Sequence, residues 1–169
     1  MRVDPKVEVR RAATADAEAI ENVARVTWDS AYADIILPEN RERLLGRWYN
    51  PDALRDSIGQ GPLWFYVALA GGVLVGFSQF VIRQDKRGQL ARIYVLPGWQ
   101  RRGIGTLLLE EGLKALAQQG VHEVVVQVEK ENRIGKAFYE KKAFRSSREF
   151  SMELPEQRLV LEELVLQID

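Results

Sequence analysis

Between Tyr94 and Thr106 the chain reads Tyr94-Val95-Leu96-Pro97-Gly98-Trp99-Gln100-Arg101-Arg102-Gly103-Ile104-Gly105-Thr106. An apolar, β-rich stretch stops at Pro97-Gly98, and two closely spaced glycines then open straight onto a helical pattern. Glycines let successive backbone N–H groups turn toward one point, and the first turn of a helix adds the positive end of its dipole. With Arg101 and Arg102 alongside, the chemistry on offer is the binding of a phosphate or pyrophosphate. Residue types exclude two other phosphate loops. A P-loop shares the Gly98-to-Gly103 spacing but needs Lys and Ser/Thr where Ile104 and Gly105 stand. A dinucleotide fingerprint needs a third glycine where Leu108 stands and a first strand near the chain start.

What is missing narrows the chemistry further. The 169 residues include no Cys and a single His, His122. Thiolate nucleophiles, disulfides, Fe–S clusters, cysteine zinc sites and multi-histidine metal sites are therefore excluded, and no metal ligand set is expected. Carboxylates, hydroxyls, phenols, amines, backbone groups or a borrowed cofactor must do the work. The net charge of +0, from 24 basic and 24 acidic side chains, argues against a general polyanion binder, so nucleic acid is not an expected partner. The zero is a cancellation. Residues 100–148 carry ten basic and six acidic side chains, residues 149–169 one and six. The basic segment is the one that holds the glycine loop.

The elements that position this loop follow from patterning. With 46% apolar and 28% charged residues, the chain reads as one globular domain over residues 1–169. Met1–Lys6 lacks an apolar run, so no signal peptide is expected, and the reading is a soluble, cytoplasmic protein. Residues 57–82 carry no charge, but Gly71-Gly72 divides them into two β-branched and aromatic halves, 63–70 and 73–82. That pattern predicts a buried hairpin and not a membrane span. Val7–Arg10 alternates as a first strand. Thr14 is the expected N-cap of a helix over 15–28, with Ile20, Val23, Ala24 and Thr27 on its inner face. Pro38 and Asn40 open a second helical stretch to Trp48, and Asn50-Pro51 restarts a short one that Gly59 ends. A strand over 89–96, a helix from Ile104 to Gly120, a strand over 121–128 and a helix from Asn132 follow. The last 25 residues read as two strands, although Leu159–Leu164 also suits a helix. The apolar C-terminal strands could pair across a homodimer.

The hexapeptide Gln100-Arg101-Arg102-Gly103-Ile104-Gly105 resembles the acetyl-CoA pyrophosphate loop of the GCN5-related N-acetyltransferase (GNAT) superfamily, of the form [Gln/Arg]-x-x-Gly-x-[Gly/Ala]. Asn132-x-x-x-x-Ala137-Phe138-Tyr139-x-x-x-x-Phe144 resembles the second cofactor motif of that family, and the element order over residues 6–167 fits it. The resemblance implies a mixed α/β fold: a twisted, mostly antiparallel sheet of six to seven strands, a splayed parallel pair and about four helices on its faces. It implies that Ile93, Tyr94 and Val95 meet the cofactor through backbone atoms. Gln100, Arg101, Arg102, Gly103, Ile104, Gly105 and Thr106 would wrap the pyrophosphate of acetyl-CoA, and Asn132 would cap its helix and touch a cofactor amide. Phe138 and Phe144 are expected in the core.

Tyr139 is then the expected general acid toward the departing thiolate, since a phenol with a pKa of about 10 is protonated at neutral pH. Without Cys, direct attack by a substrate amine on the thioester is expected over an acetyl-enzyme route. The strand before the loop reads Gln89-Leu90-Ala91, without the carboxylate that many relatives place there. Asp85, Glu129 and His122 are the remaining candidates for a base, and none is assigned. On the acceptor side, Thr27–Tyr32 and Ile35–Pro38 resemble bacterial polyamine acetyltransferases. Trp28 and Tyr32 are the candidate acceptor contacts, although their i, i+4 spacing is also that of a packing pair. A small-molecule amine is the expected acceptor. A protein N-terminus or lysine, and a non-enzymatic CoA-binding domain, are the alternatives.

Overall fold

The structure is a computed structural model that describes residues 5–60 and 63–169. Strands β1 (Val7–Arg11), β2 (Trp64–Ala70), β3 (Val73–Ile82), β4 (Gly88–Val95), β5 (Glu123–Glu129), β6 (Arg145–Leu154) and β7 (Gln157–Gln167) form one sheet in the order β1-β2-β3-β4-β5-β7-β6. Every neighbouring pair is antiparallel except β4 and β5. Five helices accompany it: α1 (Ala17–Ala31), α2 (Pro38–Trp48), α3 (Pro51–Gly59), α4 (Ile104–Gln118) and α5 (Arg133–Lys141). The resemblance implied about four; the fifth is the short helix expected from Asn50-Pro51, α3, where the Asn50 carboxamide oxygen accepts the Ala53 N–H at 2.9 Å and Pro51 fills the first turn. Among the described residues no helix is long and apolar enough to cross a membrane. Gly61, Pro62 and the first four residues, on which the leader and hairpin readings partly rest, lie outside the described residues.

Two local expectations change, and one alternative drops out. Thr14 does not cap α1. It begins a 3-10 turn, and Asp16 does the holding: its carboxylate accepts the Ala13 N–H at 2.7 Å and pairs with Arg10 through two bonds. Leu159–Leu164 is strand, because its alternate side chains face the core and both its edges are paired, by β5 and β6. For the same reason the apolar strand β7 has no edge left for a partner copy. The free edge at this end of the sheet belongs to β6, whose sequence RSSREFSMEL is charged and largely exposed.

The sheet separates two cores. One side packs α4 and α5 against Phe80, Leu90, Val126 and Leu164 through Ile104, Leu108, Leu116 and Tyr139. The other packs α1, α2 and α3 against Phe65, Val67 and Phe77 through Ile20, Trp28, Leu45 and Leu54. At one point α4 lies closer to the sheet than any side chain would permit. A Cβ added at Gly112 would fall 2.0 Å from the Phe80 ring.

Candidate active site

The β4–β5 pair comes apart halfway. Parallel pairing covers only Gly88–Leu90 against Val124–Val126, although β4 runs on to Val95 and β5 to Glu129. The cause is one extra residue. Against β3, Arg92 pairs with Gln79 and Leu90 with Phe80, so Ala91 bulges out of the ladder where the parallel pairing ends. A bulge bends its strand and sharpens the local twist, which here turns the end of β4 away from β5.

Hydrogen-bond parity decides which backbone groups the gap receives. The Leu96 N–H donates to the Val75 carbonyl at 2.9 Å. Along an antiparallel pair such bonds fall on alternate residues, so Tyr94 also turns its backbone toward β3. Ile93 and Val95 present theirs to the gap. The three-residue expectation is thereby refined: Tyr94 offers the gap its side chain and not its backbone. The Val95 carbonyl accepts the Gln100 Nε2–H at 3.0 Å, so the first residue of the loop reaches back into the free strand edge.

Beyond Val95 the loop adopts left-handed backbone at two alternate positions, Arg101 (φ 62°) and Gly103 (φ 79°). Gly103 takes that conformation at little cost, whereas Arg101 carries strain of the kind that clusters at binding sites. Alternation of this sort turns successive N–H groups to one side, and Gly103 is also the N-cap of α4. Arg101, Arg102 and Gly103 are exposed, and Gly105 and Thr106 half-buried. Ile104 is a core residue at 1% exposure, so only its backbone is available to a ligand. The Arg102 guanidinium lies 4.8 Å from the Trp99 ring centroid. A cradle of N–H groups with two arginines at a helix N-terminus fits a pyrophosphate.

Four phenols ring the other mouth of the gap. Asn132 caps α5 by accepting the Gly135 N–H at 3.0 Å, and its Nδ2 donates to the Tyr32 hydroxyl at 3.2 Å. The Tyr94 hydroxyl lies near the Tyr32 oxygen, and Tyr94 in turn adjoins Tyr49. Tyr139 sits between Phe138 and Phe144, with ring centroids at 5.5 and 5.6 Å, and senses Tyr32 and Tyr49. Burial pushes all four phenols above their ordinary range, Tyr94 and Tyr139 furthest. Phe144 is buried, and Phe138 is partly so, leaning on the first turn of α4 at Gly105.

Trp28 and Tyr32 are buried, at 4% and 7% exposure, and pack edge to face at 5.0 Å. Trp28 further meets Trp48, Tyr49 and Tyr94. Tyr49 went unread in the sequence, as did the side-chain part of Tyr94 and that of Arg92, which lies 4.7 Å from the Tyr49 ring centroid and donates to Gln79 and the Trp48 carbonyl. Of the candidate bases, Asp85 stands in the β3–β4 turn, held low by the Arg87 N–H and the flanking arginines. His122 is exposed before β5. Glu129 alone is beside the gap.

Gln157, also unread, ties the α1–α2 loop to the β6–β7 turn. Its Nε2 donates to the Ile35 carbonyl at 2.7 Å, and its Oε1 accepts the Leu37 N–H and Asn40 Nδ2, each at 3.1 Å. Asn40 also donates to the Pro155 carbonyl at 3.0 Å. Gln157→Ala is expected to raise the acceptor KM about fivefold by releasing this loop, while titration calorimetry finds coenzyme binding unchanged; each lost bond contributes about 1 kcal/mol.

Residues 27–144 match the acetyltransferase (GNAT) family. Spermidine N(1)-acetyltransferase of Thermoplasma acidophilum is 30% identical over 143 residues, spanning 82% of this chain and 88% of that protein. Mycothiol acetyltransferase of Catenulispora acidiphila is 29% identical over 110 residues, 62% of this chain but 32% of its own length. The crystal structure of PaiA N-acetyltransferase from Thermoplasma acidophilum, in complex with coenzyme A, superposes with a TM-score of 0.81 at 27% identity, covering 93% of this chain and 98% of that one. YncA of Salmonella typhimurium, solved with acetyl-CoA, shares the fold at a TM-score of 0.69 and 20% identity, over 96% and 94% of the two chains.

Proposed function

The chain belongs to the GNAT acetyltransferase family and is an acyl-CoA-dependent N-acyltransferase, and from that premise we propose that it moves the acetyl group of acetyl-CoA to the primary amine of a small molecule, by direct attack in a ternary complex. The observation that carries this is the gap itself. One side offers the backbone of Ile93 and Val95, one end the N–H cradle at Gly103, and the far mouth the Tyr139 phenol, which has Tyr32 as a neighbour in common with Asn132. A thioester seated there has its carbonyl beside fixed N–H donors and its sulfur within reach of a protonated acid. Orientation and preorganised hydrogen bonds then supply most of the acceleration. The amine nitrogen bonds to the carbonyl carbon, the C–S bond breaks, and Tyr139 gives its proton to the sulfur.

A small acceptor is supported by the closure of the acceptor side. Gln157 and Asn40 tie the loop after α1 down onto the β6–β7 turn, and that loop starts from the buried Tyr32, whose carbonyl accepts the Ile35 and Ile36 N–H groups. A protein substrate needs an open groove at that place. The similarity to a spermidine acetyltransferase supports a cationic amine. The test is release of free thiol from acetyl-CoA with spermidine, a monoamine, an amino acid, a peptide N-terminus and a lysine peptide in parallel. Turnover is expected with a small amine at least tenfold faster than with either peptide. Faster turnover with a peptide overturns the small-molecule reading, and no thiol release with any of the five overturns the activity.

A further inference from the structure

A primary ammonium must shed a proton before its nitrogen can bond to carbon. On the β4 side of the gap the residues before the bulge are Gln89, Leu90 and Ala91, none of them acidic. The opposite lip carries a carboxylate. Glu129 is the last residue of β5, and although an exposed turn follows it, the residue is only 6% exposed. Its Oε2 accepts the Glu131 N–H at 2.7 Å, and the backbone N–H groups of Lys130 and Asn132 lie nearby. No lysine, arginine or histidine among the described residues pairs with it. Tyr32, the residue that ends α1, lies within electrostatic reach of it, and Tyr32 is also the neighbour of Tyr94, Asn132 and Tyr139. Glu129 and the phenol proposed as acid thus have Tyr32 as a common neighbour.

We propose, resting on the reading above, that Glu129 is the base that accepts a proton from the acceptor ammonium. One N–H bond breaks, its proton passes to the carboxylate, and the freed lone pair attacks the thioester. A second N–H proton leaves to water as the amide forms, Tyr139 protonates the departing sulfur, and both side chains return to their starting states by exchange with solvent. Burial, with the charge of Glu131 adding to it, pushes this carboxyl above its ordinary range against the pull of the backbone N–H groups. A base raised in that way is better matched to work near neutrality.

The alternative role is a cap for the turn between β5 and α5. Glu129→Gln separates the two, because the amide oxygen still accepts the Glu131 N–H but cannot take a proton. The probe is the amine that gives the wild type its fastest thiol release, assayed from pH 6 to 9.5 with calorimetry of coenzyme A alongside. In the wild type, kcat/KM for the amine is expected to level off above pH 8. In E129Q it is expected to fall about 30-fold at pH 7 and to climb tenfold per pH unit toward the amine pKa, so that the deficit shrinks below threefold at pH 9.5. Coenzyme A binding stays within twofold, and Glu129→Asp keeps the plateau at an intermediate rate. An E129Q profile that parallels the wild type overturns the proposal, whether its rate is unchanged or uniformly lowered. Should E129Q not fold, a wild-type kcat/KM that climbs tenfold per unit through pH 9 overturns it equally. Those failures leave an active wild type, whereas failure of the acetyltransferase reading leaves none.

Discussion

Tyr139→Phe is expected to lower kcat about a hundredfold while the KM values for acetyl-CoA and amine stay within twofold. The hydroxyl is the only group removed. The ring keeps its place between Phe138 and Phe144, so the pocket wall is preserved. A general acid contributes about 10²–10⁴ to rate, and its loss is felt only where charge develops on the leaving sulfur. The pH dependence has a definite sign. Burial raises the Tyr139 pKa above its ordinary value, so the phenol holds its proton through the whole neutral and mildly alkaline range. No fall in rate below pH 10 should therefore arise from its ionisation. Steady-state kinetics of the variant from pH 6.5 to 9.5 checks both points, and an unchanged kcat removes Tyr139 from the mechanism.

The second large effect concerns stability. Gly112→Ala is expected to destabilise the protein by about 3 kcal/mol, since inserting atoms into a filled core costs about 1–3 kcal/mol and here the conflict is with a ring. The new Cβ would stand 2.0 Å from Phe80, itself fully buried between β3 and α4. The helix propensity gained by replacing glycine, about 1 kcal/mol, opposes this without cancelling it. For a chain of this size the melting midpoint should fall by about 10 °C. Calorimetric melting of Gly112→Ala, of Phe80→Leu and of the double variant provides the check. The ring is the obstacle, so the double variant should be more stable than the sum of the two losses predicts.

How legible these features were in the sequence depends on the range over which they are specified. The cradle was legible because its signal is local: glycines, arginines and a helix start within seven residues. Asn132 and Asn50 were legible as caps for the same reason. The hairpin was specified by Gly71-Gly72, and both glycines take positive φ. The bulge at Ala91 left no trace, because alanine suits a regular strand equally well and only the pairing of two partners reveals the extra residue. Thr14 misled because a better acceptor, Asp16, lay two residues on and was already aligned by Arg10. Gln157 lies 122 positions from Ile35, and no local pattern encodes a contact of that separation. Glu129 was visible as an acid, but its burial depends on residues far away in the chain, Tyr32 among its neighbours, and could not be read from the adjoining sequence. The phenol cluster was half legible. Tyr32 and Tyr139 stood out from their motifs and Tyr94 was expected only for its backbone, whereas Tyr49 and the Tyr94 ring were drawn in by packing across three elements.

The Gln100 carboxamide on the Val95 carbonyl has a consequence for how a ligand would arrive. An amide already occupies the acceptor that an incoming amide of a pantetheine arm would seek. Association at that position is an exchange of one amide for another, and the number of hydrogen bonds is nearly conserved across it. The heat released there should be small, with the affinity drawn from phosphate charge and from returning a flexible glutamine to solvent. The departing side chain is exposed and changes rotamer in picoseconds to nanoseconds, so no slow opening of the sheet precedes entry.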